Sequence, residues 1–167
     1  MSKYTPRSPF YDRMPFGKHG GRYLCDIALH ETAWLIWAKE NRVLQSVFYP
    51  VELARLFERI SSIKVPPAQD PSEKRVVDYH YDKRRPLSEV RVRRESDDQS
   101  DHTEIVKTLS ILDIAFSRNH RKTIYCNAYG PVVDAVYREY FPNHSGAVSD
   151  EEAIAFFTTE GNFLRGV

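Results

Sequence analysis

The sequence predicts an α+β protein, and three observations predict it. Apolar residues recur at helical spacing in several separated stretches, as in Leu29, Ala33, Trp34, Ile36 and Trp37. They alternate with polar residues in others: Val77, Tyr79 and Tyr81 interleave with Val76, Asp78 and His80. Glycines cluster at 17–21, where the chain must turn. The expected architecture is an N-terminal β-hairpin with two helices, followed by a small mixed strand/helix unit.

Taken in order, residues 1–13 hold Pro6 and Pro9 and little periodicity, and read as an extended arm. Residues 14–63 form a hairpin-helix module. Phe16 and Gly17 end one short strand, Lys18-His19-Gly20-Gly21 turn, and Arg22–Cys25 return. One helix is expected from Leu29 to Asn41, with Trp34 and Trp37 as core anchors. A second runs from Pro50, which suits a first helical turn, to Ser62, with Val51, Leu53, Ala54, Leu56, Phe57 and Ile60 as its apolar face. Residues 64–74, containing Pro66, Pro67 and Pro71, read as a linker. Residues 75–167 form the α+β unit, which either stands alone or packs on the first. Two strands join around Lys83–Ser88, and Arg94–Asp101 is a loop. A helix carries Ile105, Leu109, Leu112 and Phe116, capped by Asp101 or Thr103. Thr123–Ala128 reads as a strand. Gly130-Pro131 opens a helix with Val132, Val133, Val136, Tyr137 and Tyr140, ended by Pro142-Asn143. Ser149-Asp150-Glu151-Glu152 is a capping-box signature for a last helix, with Gly161 as its stop.

Bulk composition bounds the function. The chain has 167 residues, 24 Lys+Arg against 23 Asp+Glu and a net charge of +1, so it is no whole-molecule polyanion binder. Charge is uneven, however: net +3 over 1–63, balanced over 64–101 and net −2 over 102–167. No apolar run reaches bilayer length and no signal-peptide core stands at the N-terminus, so a cytoplasmic protein with no membrane partner is expected. Cys25 and Cys126 are isolated from other metal-ligating residues, so neither a disulfide framework nor a zinc site is expected.

Chemistry concentrates in the segment Phe16-Gly17-Lys18-His19-Gly20-Gly21-Arg22-Tyr23-Leu24-Cys25-Asp26-Ile27. Its glycines permit close backbone approach, and Lys18, His19 and Arg22 surround the turn with donors suited to phosphate. The alternative is a glycine-requiring hairpin with a solvated charged tip. A second basic stretch holds Lys83, Arg84, Arg85, Arg91, Arg93 and Arg94, near Tyr79, His80 and Tyr81, a mixture suited to phosphate contact and base stacking. Asp78, Asp82, Glu89 and Glu95 balance it, so a salt-bridged hairpin is the competing reading. The only Asp-x-Glu, Asp150-Glu151-Glu152, sits at a helix start and reads as capping. His30, His80, His102, His120 and His144 lack a supporting ligand pattern. No nucleotide, cofactor or catalytic motif occurs, so no cofactor, metal or catalytic residue is expected.

The 16–27 motif with the Trp-containing helix resembles the C-terminal domain of exodeoxyribonuclease X-like proteins. It resembles still more the bacterial family of quorum-sensing-regulated virulence factors. The resemblance spans about residues 14–62. Gly20 replaces a frequent Lys, and Ala28-Leu29 replaces a usual Pro. The resemblance implies a non-enzymatic, nucleic-acid-associated accessory or DNA-binding module. Two other readings stay open: a bacterial or phage regulatory factor docking on a larger enzyme through Phe156, Phe157 and Phe163, and a metal-dependent nuclease.

Overall fold

The computed structural model describes residues 5–82, 85–94, 103–105, 108–109, 136–143 and 147–164. It is α+β, and the expected strands and helices over 110–135 lie outside the described residues.

A short buried helix, α1 (Leu24–His30), stands at the centre. Residues Leu24, Cys25, Ile27, Ala28 and Leu29 are all buried, so the helix is apolar except at Asp26 and the terminal His30. The expected return strand Arg22–Cys25 is therefore not formed. Leu24, Cys25, Ile27 and Ala28 have the i, i+1, i+3, i+4 spacing of a helix, and core burial selects it. What remains of the hairpin is a closed turn. Arg13 and Tyr23 make a single antiparallel bridge. Met14 N–H donates to Arg22 O and Gly21 N–H to Met14 O, both at 2.8 Å. Gly17 and Gly21 sit at φ +78° and +83°, which glycine adopts without a Cβ penalty.

The helix expected over 29–41 is two helices. Glu31, at φ −132° and ψ 43°, separates α1 from α2 (Thr32–Glu40). Leu35 and Ala38 point into the core and Trp34 is half-buried, but Trp37 is 51% exposed, so it is not the expected anchor. A 3-10 turn (Leu44–Ser46) leads to α3 (Pro50–Ile60), where it is expected; Leu53, Leu56 and Ile60 are its buried stripe, but Val51, 74% exposed, and Ala54, also exposed, do not join the expected apolar face. The arm is pinned rather than free. Arg7 N–H donates to Val47 O, Tyr49 N–H to Arg7 O, and Phe10 is buried.

Beyond β1 (Ile63–Lys64) come β2 (Glu73–Asp82) and β3 (Arg85–Arg94), an antiparallel ribbon with Glu73 opposite Arg94 and Asp82 opposite Arg85. The two strands are where the alternation places them, and β2 starts at Glu73 within the expected linker. β4 (Thr103–Ile105) adds to β2, giving the order β3-β2-β4, and β5 (Thr108–Leu109) pairs with β1. These strands replace the start of the helix expected through Ile105 and Leu109. The i, i+4 spacing of that pair also fits strand positions. Thr103, Ile105 and Thr108 are β-branched, and pairing with existing strands decides the outcome.

The C-terminal third joins the same core. Residues 136–140 are helical, and Val136 and Phe141 are buried. The last helix, α4 (Asp150–Thr158), carries the expected capping box: Ser149 Oγ accepts from Glu152 N–H, and Glu152 accepts from Ser149 N–H. It ends at Thr158, and Gly161 lies in the following 3-10 turn, so this glycine does not stop the helix. Phe156, Phe157 and Phe163 are buried in mutual aromatic contact, not presented to a partner. Arg59 donates to Phe157 O and lies between the Phe10 and Phe163 rings. Leu164 N–H donates to Ser62 O at 2.8 Å, beside an Ile63–Phe163 bridge. Segments on both sides of 64–74 thus share one core. α4 packs against α1, which brings the C-terminal segment onto the same core. Among the described residues, no helix is long and apolar enough to cross a membrane.

Candidate nucleic-acid interface

The two basic stretches fare differently. At the 17–22 turn, Lys18 and Arg22 do not act alike. Lys18 is exposed. Arg22 donates from Nε and Nη2 to Asp26 Oδ2, each at 2.7 Å, and Nη1 lies 3.9 Å from Glu31. Its charge is therefore neutralised within the fold. His19 is not at the surface: it is 1% exposed, with its ring edge-on to Trp34 at 4.4 Å between centroids. A guanidinium only donates, so Arg22 Nη1 at 3.2 Å makes His19 Nδ1 an acceptor and leaves the proton on Nε2. Among the described residues, that buried Nε2 has no hydrogen-bond partner. Burial holds the His19 pKa below the ordinary imidazole value, and the Arg22 charge adds to the depression. His19 is a neutral packing residue, so it does not contact phosphate as the sequence suggests.

Asp26, part of the 16–27 motif but with no role assigned from sequence, is the hub of this network. Its Oδ1 accepts from His30 Nδ1 at 2.7 Å, opposite the oxygen that holds Arg22. The signal was present as acceptor and donors at 22, 26 and 30, one helical turn apart. A helix beginning at Leu29, as the periodicity suggests, does not bring these three positions onto one face. Cys25 beside it is buried, and burial pushes its thiol up to about 12, so it is an inert core residue.

On the ribbon, the register does the sorting. Paired residues share a face, and faces alternate along each strand. One face holds Arg75, Val77, Val90 and Val92 with Tyr79 and Tyr81. Arg75 pairs with Glu139, which turns this face toward the helical segment 136–140. The opposite face holds Lys74 and Arg93 directly across from one another, and Arg91 across from Val76, one step further. Asp78 and Glu89 follow as the next pair on that face, and Arg85 lies at the far end opposite Asp82. The structure thus brings Arg91 and Arg93 together, as the alternation predicts, and adds Lys74. Lys83 and Arg84 lie outside the described residues. Lys74 could not be found from sequence, because only the register puts it opposite Arg93.

No family model matches the chain, and neither the curated proteins nor the solved structures give a match.

Proposed function

We propose that the chain is a non-enzymatic, nucleic-acid-associated accessory module that contacts the phosphate backbone through its β2–β3 ribbon. The observation that carries this reading is the placement of Lys74, Arg91 and Arg93 at adjacent register positions on one face. Cross-strand neighbours stand about 5 Å apart and same-face neighbours along a strand about 7 Å apart, so three cations gather within the span of a few phosphates. The resemblance of residues 14–62 to modules of nucleic-acid enzymes supports the same direction. Exposed Lys18 is the contribution of the N-terminal turn; Arg22 and His19 act there as structure.

The test is fluorescence anisotropy with labelled DNA and RNA oligonucleotides across about 50 to 200 mM salt. Affinity is expected to fall steeply with salt. The double variant R91E/R93E is expected to lose at least about tenfold in affinity with an unchanged melting temperature. Absence of binding to any oligonucleotide at low salt removes the reading.

A further inference from the structure

His30 joins two distant parts of the chain in a way that depends on one proton. It ends α1, and its Nδ1 reaches Asp26 Oδ1 at 2.7 Å and Asp26 O at 3.1 Å. On the other side of the ring, the backbone N–H of Val148 donates to Nε2 at 3.2 Å. A backbone N–H cannot accept, so Nε2 must be unprotonated and the proton must sit on Nδ1. Only the neutral ring satisfies both contacts. Val148 is buried, and the next residue, Ser149, is the cap of α4.

We infer that His30 is a proton-operated clip that fastens the approach to α4 onto α1 when neutral and releases it when charged. A second proton on Nε2 places two donors against each other, and the Val148 hydrogen bond is lost. The Asp26 contact survives, since Nδ1 remains a donor and the carboxylate now faces a cation. The charge change therefore leaves α1 in place and acts on the C-terminal side alone. Among the described residues the charged neighbours are few. Asp26 faces the ring directly, with Arg22 held on its other oxygen and Glu31 beyond Arg22. From the α4 side, Asp150 at the helix start is paired with Arg13 at 4.0 Å.

The experiment is amide hydrogen exchange of the full chain by NMR, at about pH 7.5 and about pH 5, with each rate divided by its intrinsic chemical rate. The protection of Val148 is expected to drop about tenfold at the lower pH, while Ile27 and Ala28 of α1 keep theirs. His30→Gln supplies the control, because its amide donates to Asp26 and accepts from Val148 at every pH. Its Val148 protection is expected to be the same at both pH values, although His19 is still present. Unchanged Val148 protection in the wild-type chain overturns the inference. So does an equal drop in His30→Gln. Should His30→Gln not fold, the tautomer decides: long-range nitrogen–proton spectra of the wild-type chain at about pH 7.5 must show the proton on His30 Nδ1. A proton on Nε2 overturns the clip outright.

Discussion

The basic turn at 17–22 and the basic ribbon at 73–94 look alike in sequence and differ in kind. In the turn, each cation near the core meets an anion. Arg22 is held by Asp26, and Asp26 is itself held from the other side by His30. A buried carboxylate is tolerable only when its lone pairs are matched, and this one is matched by side chains one helical turn away on each side. In the ribbon, the ladder puts Lys74 across from Arg93 and Arg91 beside them. The register there places these three cations on one face of the ribbon. The difference teaches that a run of cations says little until the partners of each are known. The same residue types hold the fold together in one place and share one face of a ribbon in the other.

The largest expected effect that would break this comparison is in the turn. Asp26→Ala leaves Arg22 and His30 without their shared acceptor in a mostly buried site. We expect a loss of about 2–3 kcal/mol, read as a lower midpoint in denaturant, with Arg22's partial exposure limiting the cost. A loss within experimental error would show that the turn, like the ribbon, is merely charged.

A smaller effect sharpens the contrast through pH. The folded chain holds His19 below the ordinary imidazole pKa, so the unfolded chain binds a proton that the folded chain refuses. The stability from keeping His19 neutral is complete above about pH 6.5 and is lost as pH falls from there through the folded value. Melting temperatures measured between about pH 7.5 and pH 5 should decline less steeply in His19→Leu than in the wild-type chain. An identical slope would mean that His19 is not held neutral.

The smallest effect on stability belongs to the ribbon. Arg91→Ala and Arg93→Ala are each expected to change unfolding free energy by less than about 0.5 kcal/mol. Each should also lower the slope of log affinity against log salt by about one unit on an oligonucleotide. Stability losses comparable to Asp26→Ala would place these arginines with Arg22 as structural residues.

The local elements were legible where one signal sufficed. Pro50 and the wide apolar stripe of Leu53, Leu56 and Ile60 specify α3 with no outside help. Ser149 and Glu152 announce α4 through a reciprocal cap contained within four residues. The period-two pattern locates β2 and β3, because alternation is a property of each strand alone. Tertiary structure decided the rest. Leu24 and Cys25 are compatible with strand or helix, and enclosure within the core made them α1. Ile105 and Leu109 sit at helical spacing, but pairing with β2 and β1 made them strand residues. The site shows the same division. That Arg91 and Arg93 share a face follows from their spacing; that Lys74 joins them, that His19 is buried and that His30 reaches Val148 do not. Those facts depend on contacts between residues far apart in the chain, and no local propensity encodes such contacts.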